Sequence, residues 1–383
     1  PLYKINQELI LKNKVYSKSL LDYSINKNAN TIFSKQLYNG QNTKGIYLRV
    51  SDENALTEIN NLGKLLFYDP ILSGNNERSC ASCHKPTEYF TDTTISTAVQ
   101  FNNQNSLERN TPTLINAPYN HLIMVDGKHI DLQLQTKGVI TSQLEMNANQ
   151  DSVLAKILSC KEYNETLQKL LKYTPTEKAV NFNHVVSAIT YYYSQFSNYY
   201  APFDEAMNKQ TEISQKAKDG FNLFMGKAAC ATCHFAPQFN GVKPPYIGSE
   251  FEVIGVPENI QYTSISNDLG RYFINPAKET QNAFRTGTIR NASYTKPYMH
   301  NGVFKTMEQV IDFYNTGGGI GNGLTINNQT LPSDSLYLTE IEKENLIVFI
   351  NSLNEKVVFE KAPKNLPKSN FKYLNKRKVG GTY

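Results

Sequence analysis

Two pentapeptides carry the chemistry of this 383-residue chain: Cys80-Ala-Ser-Cys83-His84 and Cys230-Ala-Thr-Cys233-His234. In Cys-x-x-Cys-His the two thiols can form thioethers to the vinyl groups of a haem, and the adjacent imidazole reaches the iron as proximal ligand. Two copies read as two covalently bound haems c. A four-cysteine zinc site spaces its pairs by about 15–20 residues and needs no histidine after each, whereas these pairs begin at positions 80 and 230. A thioredoxin-type motif belongs in a βαβ context, which the pattern here lacks. The fifth cysteine, Cys160, has no partner left for a disulfide and lies on an apolar helix face, as a buried small hydrophobe does. Haem attachment of this type takes place outside the cytoplasmic membrane, so the expected location is the periplasm or cell envelope, after export.

Helices must deliver these motifs. Leu56, Ile59, Leu62, Leu65 and Leu66 line one helical face just before the first pentapeptide, and Ala217, Phe221 and Phe224 do so before the second. Further faces run through Val153 to Leu158, Val185 to Phe196, Met307 to Tyr314 and Ile341 to Ile350. Long Asn-, Gly- and Pro-bearing loops, such as 91–120 and 237–283, separate them; loops of that length wrap something or serve function. A weak repeat joins the halves: Gly63-Lys64-Leu65-Leu66-Phe67 and Gly220-Phe221-Asn222-Leu223-Phe224 each precede a cysteine pair. The expected fold is mostly α, with two cytochrome c-like haem domains and long loops. Its divisions are an N-terminal extension over 1–50, a first haem domain over 51–205, a second over 206–360 and a C-terminal surface tail over 361–383, with the boundary near Ala201 to Gln215.

Composition bounds the rest. Apolar residues at 40% and aromatics at 11% exclude wholesale disorder. Lys plus Arg at 39 against Asp plus Glu at 34 gives +5, too diffuse for nucleic acid. No apolar stretch approaches the ~18 residues of a membrane helix. The chain begins at Pro1, which fits a processed or truncated product.

With both pentapeptides placed, the surrounding residues resemble the bacterial di-haem cytochrome c peroxidase and MauG family over roughly 56–353. The resemblance rests on Leu62 to Pro70, Arg109-Asn110-Thr111-Pro112-Thr113-Leu114, Asp126-Gly127-Lys128, Leu144-Glu145-Met146, Phe224 to Cys230, Arg290-Asn291 and Pro297-Tyr298-Met299-His300-Asn301-Gly302, in the family's order. It implies that Cys80, Cys83 and His84 hold a peroxidatic haem and Cys230, Cys233 and His234 an electron-relay haem, both near the domain interface. Glu145 falls on the distal glutamate and Gln135 on a distal glutamine. Heterolysis of hydrogen peroxide moves a proton from one oxygen to the other, and a positioned carboxyl does this.

Departures from the family pattern sharpen the subtype. Its peroxidases carry a loop histidine that ligates the first iron at rest, yet Lys85 to Glu108 contains none; the first iron is expected to be five-coordinate or water-bound. The position of the second iron's axial methionine is held by Tyr314, as in MauG, with Met299 and Met307 as rivals. Val125 stands where the family has a tryptophan between the haems, and the chain has no tryptophan. Tyr191, Tyr192, Tyr193, Tyr199 and Tyr200 offer oxidisable rings. The resemblance also implies one Ca²⁺ between the domains, with Asn110 as side-chain ligand and Thr295 and Pro297 giving carbonyls, a donor set that suits the ion. His300 is expected near the second haem, whereas His121, His129 and His184 have no assigned role.

The reading is a di-haem peroxidase that reduces hydrogen peroxide with electrons from a small redox protein. Alternatives are a MauG-like oxidase of a partner protein and a plain electron-transfer cytochrome. Relatives often pair, so a homodimer is a further expectation.

Overall fold

The computed structural model describes residues 50–196, 200–242 and 250–383, preceded by 8, 9, 12, 26, 29–37 and 45–48. Tyr199 lies outside the described residues. The first half is built from α1 (Glu53–Phe67), α2 (Leu132–Thr141), α3 (Gln150–Leu158), α4 (Lys161–Leu170) and α5 (Phe182–Ser194). The second holds α6 (Gln215–Met225), α7 (Met307–Asn315) and α8 (Glu340–Ser352). Their starts are written in the sequence. Asp52 accepts from the amides of Asn54 and Ala55 at the head of α1, and Thr306 and Thr339 form capping boxes with Gln309 and Glu342.

The glycines of the weak repeat have a structural reason. A Cβ on Gly63 would stand 2.0 Å from the carbonyl oxygen of Ala188, and one on Gly220 1.9 Å from that of Asn345. So α1 meets α5, and α6 meets α8, backbone against backbone. Each half therefore seats the helix before its cysteine pair by the same device. Around α1 and α5 the first core gathers Ile59, Leu66, Phe67, Ile157, Leu167, Val185 and Ile189. The second core is richer in rings: Phe203, Phe221, Phe224, Phe239 and Phe349 pack with centroids 5.0–5.8 Å apart.

The chain ends cross between halves. Phe33 joins the second core, and so does Phe203, within the expected boundary stretch. The 361–383 stretch runs along the surface and is pinned there at a few buried points. Leu374 is buried in the first core, and the Arg377 guanidinium pairs with Asp69 at 2.7 Å, both side chains buried. The hydroxyls of Ser79 and Ser82 donate to Gly380 O at 2.7 and 3.0 Å, so this stretch closes over the first pentapeptide. Its lysines face solvent, and a few spaced anchors do the docking. Cys160 is buried as expected, at the N-terminus of α4.

A short antiparallel ribbon marks the seam. Strand β1 (Phe251–Glu252) pairs with β2 (Phe284–Arg285), Phe251 opposite Arg285. The amide of Arg285 donates to Val125 O in the first half at 2.7 Å. Arg109 adds ion pairs at 2.6 Å to Asp126 on its own side and Asp268 on the other.

Candidate active site

Both pentapeptides form a short helical turn, Cys80–Cys83 and Cys230–Thr232, followed by the histidine. His84 Nδ1 lies 3.0 Å from Phe90 O, and His234 Nδ1 lies 3.1 Å from Phe239 O. A carbonyl only accepts, so in each ring Nδ1 carries the hydrogen and Nε2 keeps its lone pair for a metal. Burial holds both imidazoles below their ordinary range, in the neutral, ligating form. The loops behind them repeat as well. The Thr113 hydroxyl donates to Tyr89 O at 2.5 Å, and that of Thr288 to Gln238 O at 2.6 Å, each one residue before the carbonyl that holds the histidine. Asn116 and Asn291, three residues after these threonines, both donate to the buried Glu355 Oε1, at 2.7 and 3.1 Å.

The opposite faces differ. The first site opens on a cavity of about 420 Å³ whose wall includes Cys80, Cys83, His84, Gln135, Glu145 and Arg285, within the range of about 300–1,000 Å³ typical of small-molecule and cofactor sites. Gln135 projects from α2, and Glu145 from the turn after it, where its amide donates to Ser142 O at 3.1 Å. Burial raises the Glu145 carboxyl above its ordinary range, against smaller opposing effects of the Ser142 hydroxyl, Lys128 and Arg78. Arg78 braces that turn. Its Nη1 donates to Glu145 O and Val99 O, both at 3.0 Å, and its Nη2 to Gln100 O at 3.0 Å and Asn103 Oδ1 at 3.2 Å. His84 is the one histidine on the cavity wall. At the second site α7 brings Tyr314 beside Cys230, Cys233 and Glu252; burial first, then those acidic neighbours, raise its phenol. A phenol so placed ionises when a metal takes the oxygen.

The Di-haem cytochrome c peroxidase family matches over residues 57–212. A cytochrome-c peroxidase of Denitromonas iodatirespirans, IdrP2, is 32% identical over 322 residues, covering 76% of this chain and 80% of the relative. The methylamine utilization protein MauG of Methylorubrum extorquens is 31% identical over 295 residues, covering 76% and 77%. The chain belongs to the di-haem cytochrome c peroxidase family. The fold agrees: a MauG-like protein associated with microbial copper homeostasis superposes with a TM-score of 0.66 at 22% identity, over 78% of this chain and 90% of that one. The diheme peroxidase BthA of Burkholderia thailandensis gives 0.61 at 20% identity, over 81% and 89%.

As a di-haem peroxidase the chain is an oxidoreductase with two haem cofactors, and the residues present fit them. Two cysteines and a histidine with a free Nε2 share the wall of a roomy, largely apolar cavity at the first site, and Tyr314 joins the second trio. No helix among the described residues is long and apolar enough to cross a membrane. Hydrogen bonds join the segments that carry the calcium candidates. The amide of Asn110 donates to His300 O at 2.6 Å and its side-chain nitrogen to Ser96 O at 2.8 Å, which draws the loop against the segment holding Thr295 and Pro297. Among the described residues no three His, Cys, Asp or Glu side chains cluster as a metal site, so an ion here would rely on amide, carbonyl and water oxygens.

His300 stacks on Phe284 at 3.7 Å, and its Nε2 lies 2.9 Å from the Ser266 hydroxyl. Met307 packs at the edge of the second core. His184 caps α5, His121 pairs with Glu250, and His129 Nε2 stands near Gly138. Sequence reasoning did not single out Arg78 or Arg285. Arg78 stands two residues before Cys80, and that adjacency was the one available signal. Arg285 comes from the second half, with Nε 3.3 Å from Met124 O and Nη1 2.9 Å from Asn120 Oδ1.

Proposed function

We propose that this di-haem peroxidase reduces hydrogen peroxide to two waters at the first site, with electrons delivered by a small redox protein and relayed through the second. The observation that carries the reading is one cavity shared by Cys80, Cys83, His84, Gln135 and Glu145. The haems, which Cys80, Cys83, Cys230 and Cys233 would hold through thioethers, would supply the redox chemistry of the reaction. The chain does the rest. The Glu145 carboxylate takes the proton from one peroxide oxygen and returns it to the other, and the Gln135 amide orients the molecule by hydrogen bonding. Arg78 fixes the backbone from which Glu145 projects. His84 and His234 would hold the two irons through their imidazoles, and Tyr314 would hold the second through its phenol oxygen. Asn110, Thr295 and Pro297 supply oxygens to a calcium ion at the seam, and the working location is the cell envelope.

Tyr314 favours a second reading, a MauG-like oxidase that draws electrons from a partner protein, because an anionic oxygen ligand stabilises higher oxidation states whereas a thioether raises the potential. The test is steady-state peroxide consumption with and without a reduced small cytochrome or cupredoxin. Sustained turnover that requires the donor supports the peroxidase. Turnover indifferent to every such donor refutes it and leaves the oxidase reading.

A further inference from the structure

The chain has 24 tyrosines and no tryptophan, and Val125 at the seam cannot be oxidised. Tyrosine is therefore the most readily oxidised ring available to carry an electron between the halves. Two of them meet across the seam. The Tyr89 and Tyr294 rings stack with centroids 4.2 Å apart and planes 11° from parallel. Each ring hangs on a loop tied to one proximal histidine. Tyr89 immediately precedes Phe90, whose carbonyl accepts from His84, and the Thr113 hydroxyl clasps its own carbonyl. Tyr294 ends the turn Ala292–Tyr294, on a loop whose Ile289 amide donates at 3.1 Å to the Phe239 carbonyl that also holds His234. Glu355, gripped by Asn116 on one side and Asn291 on the other, holds the two loops in register. The Phe359 ring packs edge-on against Tyr89 at 5.0 Å. Tyr294 is 38% exposed and Tyr89 half-buried, so a phenolic proton has water to leave to.

We propose that Tyr89 and Tyr294 form a redox-active pair that passes electrons across the seam to the first site. This inference rests on the peroxidase reading above. Hydrogen peroxide takes two electrons and two protons to give two waters. Each phenol gives one electron and releases one proton to water, leaving a neutral tyrosyl radical, and donor electrons with protons from water restore both phenols. Without a donor the stacked radicals couple: one carbon–carbon bond forms between the rings, and the two ring hydrogens move to the oxygens as the phenols re-form. The balance is two tyrosines and one peroxide to one dityrosine and two waters.

The experiment uses the full chain loaded with haem, mixed with hydrogen peroxide in the absence of donor, then read by freeze-quench EPR and by mass spectrometry of its peptides. The expected result is a tyrosyl signal and a Tyr89–Tyr294 cross-linked peptide two hydrogens lighter than its parts, with prior addition of reduced donor suppressing both. Y89F and Y294F each lose the cross-link and weaken the radical with melting unchanged, whereas Y337F, at an exposed position, retains both. Y294W, which keeps an oxidisable ring, restores a radical now centred on indole; a merely structural role for the ring would give no such change. The proposal is overturned if the Y89F/Y294F double variant shows the wild-type radical, or if the wild type consumes peroxide with neither radical nor cross-link. A wild type that consumes no peroxide overturns the peroxidase reading and this inference together.

Discussion

The two haem sites share almost everything on one face and almost nothing on the other. Behind each histidine stand the same carbonyl acceptor, threonine clasp and asparagine, and before each cysteine pair the same glycine-mediated helix crossing. Across the ring position the first site has room, with Gln135 and Glu145 on the wall, while the second has Tyr314 against its thiols. Shared machinery builds two ligand-ready imidazoles. The contrast suits the proposed division of tasks: a site with space and a carboxyl fits a substrate, and a site with a phenol beside its thiols fits holding and passing charge.

The largest expected effect comes from removing the carboxyl that makes the first site different. Glu145→Gln should slow peroxide consumption by ~10²–10⁴-fold, the usual size of general acid–base assistance, with haem content intact by pyridine haemochrome assay. Full activity in that variant would remove the acid–base role. Its pH dependence follows from burial. A raised carboxyl is protonated, and so unable to accept the peroxide proton, over a wider acidic range, so the rate should fall with decreasing pH through a midpoint above the ordinary carboxylate value. That limb should vanish in Glu145→Gln.

The shared machinery can be tested one half at a time. Gly63→Ala and Gly220→Ala each drive a methyl into a facing carbonyl and should each cost ~1–3 kcal/mol, as overpacking does. In denaturant titrations Gly63→Ala should loosen the first haem environment and Gly220→Ala the second; equal disturbance of both sites by either one would show that the halves do not pack separately. The smallest change to the fold comes from Tyr314→Phe, which should alter the low-spin signal of the second haem and leave melting close to wild type. An unchanged spectrum would cancel Tyr314 as a ligand.

Much of this contrast was legible before any coordinates. The cysteine–histidine pentapeptides are local, and α1, α5, α6 and α8 announce themselves by apolar periodicity because each buries a continuous stripe. The helix α2 escaped notice since Gln135 and Thr136 interrupt the apolar face of Leu132, Val139 and Ile140 that it turns to the cavity. Arg78 was equally hidden, because its meaning lies in carbonyls from residues 99, 100 and 145. The anchoring of the 361–383 stretch was hidden for a related reason. Its lysines dominate the composition, while Leu374 and Arg377 do the docking through partners some 300 positions away. Short-range chemistry reads from sequence; interrupted helix faces and long-range anchors do not.

In the proposed reading one iron site is open and Tyr314 closes the other. EPR of the resting diferric protein tests it most directly. The account predicts one high-spin and one low-spin haem in equal amount, and two low-spin signals would contradict it.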